Sequence, residues 1–481
     1  MTSETASTCS TAAAADIACI DPLDGDDLCP LLQQFGTAMS KACFDDARVL
    51  IESFRAIRAP ISASAEDSLC HLLLSACIQI VKAENAYYSL NFTVPKAFFR
   101  RESSLQLTYT QIKAELCQMD DVAGNTKISA AEDIRRRLID FTSARVSMIN
   151  VYNSFLVENF GLPNELTALT TVLSSVEHLL MLLVNHESLK SLFTFVVNEI
   201  VAMKLLLEAQ LALIRCEFLQ SLIKLKSAHV RLRAWFNSVG YKPMQIKTTV
   251  KFFGFSNDLH FKIARIRPQV QCSSLRLCSW AYEFYMLLLA KFSLYFHDSL
   301  QSQCSTNDFD HTISAMKSPN FVQMFTAFQR KMEPLFILLI ANRYSAPDIS
   351  SRSFYQLLAA FVGYGCAADT NDGEGELRKK FLIFLKIGDE AKKVDFLLPS
   401  ISILIQDSVT KKSGTDRIIY CYDQLICKSF FILPVEYNLY ITIIFDRKVS
   451  ERDNTVVSFL LNSCSQLRCT KICQSWRKFS T

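Results

Sequence analysis

The sequence predicts an α+β protein, an N-terminal antiparallel helical bundle followed by a smaller C-terminal α+β domain. Three observations predict it. Between Pro163 and Gly240 the chain has neither glycine nor proline, and apolar residues recur there in steps of three and four. After Pro319 the period changes to short continuous apolar runs. One of these, Leu439–Phe445, reads as a strand buried on both faces and breaks abruptly into Asp446-Arg447-Lys448-Val449-Ser450-Glu451-Arg452-Asp453.

The first 27 residues are rich in Ser, Thr, Ala and Asp without an apolar period, and read as a disordered acidic tail. A helical bundle domain is expected over 28–318. Its helices are Leu69–Leu90, Ser103–Met119 and Glu132–Leu156, then two long stretches on either side of a polar break at Asn185–Ser188, then Ser279–Leu300. Each stripe has to meet another stripe to leave water, which makes a bundle. An α+β domain is expected over 319–481. It opens with a helix at Asn320–Met332 and continues with apolar runs at Leu335–Ile340, Ile401–Ile405, Ser429–Leu433 and Leu439–Phe445. A helix is expected between Thr415 and Cys427 and another over Glu451–Leu467, with Ser450 as its cap and Asp453 completing a capping box. The stretch 344–399, with its acidic Gly-containing loop Asp369–Glu376, reads as a low-order insertion.

Composition narrows the function. The 481 residues are 50% hydrophobic and 20% charged, enough for two or three domains without covalent staples. A net charge of +4 from 51 basic and 47 acidic residues argues against a general nucleic-acid binder, whose affinity rests on neutralising phosphates. The 17 cysteines are odd in number and scattered through helical and strand-like segments, which points to a reducing compartment. The N-terminus lacks a basic region and a signal core. The best spanning candidate, Tyr282–Phe296, carries Glu283 and Lys291 and falls short of the ~20 apolar residues a bilayer needs. The expectation is a soluble cytosolic protein with at most peripheral membrane association.

Several segments resemble the KICSTOR complex subunit 2 family. They are Phe98-Phe99-Arg100-Arg101-Glu102-Ser103, Phe218-Leu219-Gln220-Ser221-Leu222 before Leu225-Lys226-Ser227-Ala228-His229, Leu288 to His297, and Ile441 to Asn454. Together they span about 30–467. The chain departs from the family in its N-terminus, in Tyr241–Ser274 and in Tyr344–Pro399. The resemblance implies a non-enzymatic scaffold subunit of a lysosome-surface complex. Such a subunit positions the GATOR GTPase-activating complex against Rag GTPases and restrains TOR complex 1 under amino-acid or glucose deprivation, with the other KICSTOR subunits and GATOR as partners.

Candidate chemistry is sparse, and no cofactor is expected. His297-Asp298 invites comparison with helical metal-dependent hydrolases, but such a site needs a further His and Asp on facing helices. His260 and Asp308 or Asp310 are the nominees, and the plainer reading is a histidine suited to the negative end of a helix. His229 falls on the stripe Leu222, Leu225, Leu232 and reads as a core histidine. Cys464, Cys469 and Cys473 lack the second pair a zinc site requires, as do Cys272 and Cys278. Neither Gly373-Glu374-Gly375 nor Gly363-Tyr364-Gly365 completes a phosphate loop. One charge feature stands out. Ten basic residues between Lys224 and Arg267 face the single acid Asp258, with Phe252, Phe253, Phe255 and Phe261 interleaved. Lys242, Lys247, Lys251, Lys262, Arg265 and Arg267 are therefore the candidate contacts to an anionic lipid surface or an acidic partner. A solvated helix end with an exposed loop is the plainer reading, and the acidic tail (Asp16, Asp21, Asp24, Asp26, Asp27) could instead cover the patch.

Overall fold

The computed structural model describes residues 28–57, 65–90, 104–118, 130–155, 162–181, 184, 187–215, 217–242, 275–297, 319–342, 381–388, 394–410, 417–436 and 439–474. The described residues are mostly helical, with one C-terminal antiparallel sheet, so the fold class is α+β as the sequence predicts. The chain divides into two compact units. The first takes residues up to Asn85, Ser103–Val146 and Leu179–Val196, and the second takes Ala86–Glu102, Ser147–His178 and Val197–Thr481. This division does not follow the sequence boundary at residue 318.

The helices are α1 (Leu28–Ser40), α2 (Phe44–Ile57), α3 (Ala65–Tyr88), α4 (Leu105–Cys117), α5 (Ala130–Ser154), α6 (Pro163–Met181), α7 (Lys190–Ile214), α8 (Phe218–Ser238), α9 (Arg276–Tyr295) and α10 (Phe321–Met332). In the first unit α1 packs on α2 and on the short turn Glu187–Leu189, where Gly36 comes within van der Waals reach of Leu192. In the second unit α8 and α9 pack together and bury Trp235 and Trp280 completely or nearly so. The long stretch expected beyond Ser188 is broken at Arg215–Glu217, where Glu217 N–H bonds back to Ala212 O and α8 begins anew. No glycine or proline marks that break, so periodicity alone ran through it.

The sheet is built from β1 (Phe336–Asn342), β2 (Phe381–Gly388), β3 (Ile419–Asp423), β4 (Lys428–Glu436) and β5 (Leu439–Phe445), in the order β2-β1-β5-β4-β3, each neighbour antiparallel. Strand β5 lies at the centre and every one of its residues is buried, which is the both-faced burial its unbroken apolar run predicts. One face carries Phe336, Leu338, Ile340, Phe430, Ile432, Tyr440 and Ile444 and is covered by helix α11 (Leu398–Thr410) through Leu398, Ile401 and Ile405. The strands are closed by α12 (Asn454–Leu467), which packs on β4, and by α13 (Thr470–Gln474).

Four expectations in this region are corrected. Ile401–Ile405 belongs to a helix. Burial recurs at Leu397, Leu398, Ile401 and Ile405 while Ile403 points out, so the period is that of a helix and not a strand. The helix expected between Thr415 and Cys427 is instead strand β3 and the turn after it, in keeping with the β-branched and aromatic run Ile418-Ile419-Tyr420-Cys421-Tyr422. The stretch 344–399, read as an insertion, contains β2, which pairs with β1 along its whole length. The last expected helix starts at Asn454, and its cap is Asp453, whose Oδ1 accepts from Thr455 N (2.9 Å) and Val456 N (3.1 Å). Ser450 Oγ takes only Arg452 N, at 3.3 Å. The tail 1–27 lies outside the described residues.

Candidate functional site: buried polar frame and exposed faces

Within each unit, taken by itself, several buried charges have hydrogen-bonded partners of that same unit. In the first unit Glu84 and Arg145 are both fully buried. Arg145 Nε donates to Glu84 Oε1 at 2.7 Å and Nη2 to Oε2 at 2.8 Å, and Tyr109 OH adds 2.6 Å to Oε1. A bidentate pair of this kind offsets the cost of desolvating two charges only because its lone pairs are also hydrogen-bonded. Arg135 repeats the theme, with Glu132 held in a fork and Nη1 donating to Leu116 O at 2.6 Å. The Arg135 hydrogen bond draws the Glu132 carboxyl below its ordinary range.

In the second unit the fully buried Glu199 accepts from three phenols, Tyr87 at 2.5 Å, Tyr88 at 2.8 Å and Tyr152 at 2.9 Å. Burial, and then the Glu199 charge, pushes the Tyr152 phenol well above its usual value, so it stays a donor. Tyr152, Phe155, Trp280 and Phe284 continue from there as an aromatic row. A second network ties helices to the sheet. Lys291 on α9, fully buried, pairs with Glu436 at the end of β4 and donates to Gln210 Oε1 on α7 at 3.1 Å. Gln210 Nε2 donates to Glu436 Oε1 at 2.9 Å, and Tyr295 OH to Oε2 at 3.2 Å. The register of β4 shifts between Pro434 and Glu436, a bulge placed where proline has no N–H to give. Arg468 Nε caps the loosened Val435 carbonyl at 2.7 Å. The bulge therefore re-aims Glu436 toward Lys291.

The basic corner after β5 is equally fixed. Buried Ser429 donates to Arg447 O at 2.8 Å and accepts from Val449 N at 2.9 Å, and Tyr420 OH donates to Val449 O at 2.7 Å. Arg447 reaches Met332 O and lies over the Phe445 ring, while Lys448 lies over Tyr422.

The residues nominated from the sequence fall as follows. Lys242 is exposed beside buried Tyr241, and Lys247, Lys251, Lys262, Arg265 and Arg267 lie outside the described residues. His297 is buried just beyond α9, and Asp298, His260, Asp308 and Asp310 lie outside the described residues. His229 is half-buried against Tyr285, and desolvation, with Arg233 nearby, lowers its pKa. Cys278, Cys464, Cys469 and Cys473 are buried, and desolvation drives the Cys469 thiol up to about 12, far from a reactive thiolate. Among the described residues no group of three or more His, Cys, Asp and Glu is placed to hold a metal ion, and no helix is long and apolar enough to cross a membrane.

Sequence reasoning missed what the outside offers. Large apolar side chains stand exposed on the elements at the β3 side of the sheet, namely Phe396, Ile403, Leu425 and Ile426. The signal was present in the β-forming run before Asp423, whose Oδ1 accepts from Leu425 N at 2.9 Å and turns the chain.

A helical chain with an antiparallel sheet, whose buried charges are taken up by its own frame and whose exposed faces carry aliphatic and basic groups, is the class these observations define. The family described as KICSTOR complex C12orf66 like matches residues 28–480, and the chain belongs to it. It is 23% identical over 468 residues to KICSTOR subunit 2 of Danio rerio, covering 94% of this chain and 97% of that protein. It is 24% identical over 447 residues to KICSTOR subunit 2 of Xenopus laevis, covering 91% and 93%.

Proposed function

We propose that the chain is a non-enzymatic scaffold subunit of a KICSTOR-like complex at the lysosomal surface. There it recruits the GATOR GTPase-activating complex and restrains TOR complex 1 when amino acids or glucose are scarce. The observation that carries this reading is the extent of the family match, which runs from the first described helix past the last and covers more than nine tenths of both relatives. The buried frame supports it. Glu84, Glu199, Lys291 and Glu436 serve to hold helices and sheet in place, which leaves recognition to the surface. Other KICSTOR-like subunits and GATOR are the partners in this reading, and the basic segment from Lys242 to Arg267 supplies charge for peripheral contact with an anionic membrane or an acidic partner.

The test is the response to amino-acid withdrawal in cells lacking the chain. Phosphorylation of TOR complex 1 substrates is expected to persist on withdrawal, and re-expression of the chain to restore its fall. The charge-reversed variant Lys242→Glu, Lys247→Glu, Lys251→Glu is expected to restore it less. A normal fall in cells lacking the chain would contradict the reading.

A further inference from the structure

Among the described residues the β3 edge of the sheet has no second strand beside it, and on one face Lys448 lies over Tyr422 and Tyr420 OH donates to Val449 O. An edge strand offers unpaired N–H and C=O groups to any extended chain, and natural sheets protect such edges with lysines, prolines, bulges or covering elements. Among the described residues β3 pairs with β4 alone, and its five residues Ile419, Tyr420, Cys421, Tyr422 and Asp423 contain no lysine and no proline. Its register with β4 is regular, so no bulge twists it away. All five are only partly buried. The opposite edge is managed differently, since β2 carries the exposed Lys386 and a register break against β1.

Four of the exposed large apolar side chains lie on the same side, Phe396, Ile403, Leu425 and Ile426. Leu425, 95% exposed, and Ile426 form the tip of the β3–β4 hairpin, and Ile403, 69% exposed, stands on α11, which packs beside β3. Phe396, Pro399 and Ile403 follow steps of three and four, so they form one solvent-facing ridge. The tip is also costly to build. Cys427 closes it at φ 53°, a left-handed position where glycine or asparagine is the ordinary choice.

We infer that β3 is the seam of a homodimer, in which two copies pair their β3 strands antiparallel about a two-fold axis at Cys421 and join two five-stranded sheets into one. The strand is self-complementary in that register. Tyr420 of each copy faces Tyr422 of the other on one side of the sheet. On the side covered by α11, Cys421 faces Cys421 and Ile419 faces Asp423, with Arg417, exposed two residues before β3, within diagonal reach of the partner copy's Asp423. Aromatic pairs and two symmetry-related Arg–Asp contacts favour this register, and the axis sets both α11 ridges on the same face of the joined sheet. A second copy is the occupant because the strand paired with itself sets Tyr420 against Tyr422 and brings Arg417 of each copy to Asp423 of the other, so its aromatic and charged groups complement one another.

The test uses the full chain. Light scattering on a sizing column at tens of micromolar is expected to give twice the 54.5 kDa of one chain. Cys421→Lys, which puts a charge on the seam, is expected to give the monomer mass with an unchanged circular dichroism spectrum. Opposed residues of an antiparallel pair have Cα atoms about 4.5–5.5 Å apart, within disulfide range. Oxidation with copper phenanthroline is therefore expected to cross-link the wild type. Cys421→Ser, a near-isosteric change that serves even if the lysine variant fails to fold, is expected to abolish that cross-link, while Cys427→Ser leaves it. A monomeric wild type, a dimer that survives Cys421→Lys, or a dimer in which Cys421 is not the cross-linking residue would each overturn the inference.

Discussion

Arg145 and Glu84 meet across 61 residues of sequence, both fully buried. Removing one partner of such a pair strands the other charge, at a cost of about 3–5 kcal/mol, whereas losing one hydrogen bond to a charged group that keeps its other partners costs about 1.5–3 kcal/mol. Arg145→Ala is thus expected to lower the midpoint of urea unfolding further than Tyr109→Phe, which removes the 2.6 Å phenol bond and leaves the ion pair in place. Equal shifts would show that the pair is not a support. None of this was legible beforehand, because a charged residue on an amphipathic helix reads as solvent-facing unless its partner is known. The same holds for Glu199 and its three tyrosines. The histidine reading fared better in part, since His229 lies on α8 beside the Tyr285 ring of α9, though it is half-buried and not a core residue.

Elements were legible where local chemistry and tertiary packing agreed. Strand β5 and helix α10 were read closely, because an unbroken β-branched run, and a short helical stretch bounded by Pro319 and Pro334, leave little choice. Strand β3 and helix α11 were exchanged. Their apolar runs are short, and periodicity alone cannot separate a strand from one side of a buried helix. The start of α12 shows the same competition on a smaller scale. Ser450 and Asp453 are both good caps by type, and the clasp of Ser429 on Arg447 and Val449 carries the chain past Ser450 before the helix begins. Asp453→Ala is expected to cost about 1 kcal/mol in thermal or chemical unfolding and Ser450→Ala only a few tenths. A larger effect at Ser450 would contradict the observed cap.

At the scale of the molecule, the class of fold followed from a change in hydrophobic period near Pro319, and the family followed from short fragments spread along the chain, which the match over 28–480 bears out. The contact faces did not follow, because exposure depends on which helices and strands become neighbours. The β3 edge emerges only once Cys421 is placed opposite Phe430 at the sheet's end. On the function proposed above, the chain works through those faces as one member of an assembly. Recovery of the tagged full-length chain from cells at near-endogenous level, with identification of what co-purifies, tests it most directly. Stoichiometric recovery of other KICSTOR-like subunits is expected, with GATOR components alongside. Recovery of the chain with none of them, under conditions in which those subunits are present, would contradict it.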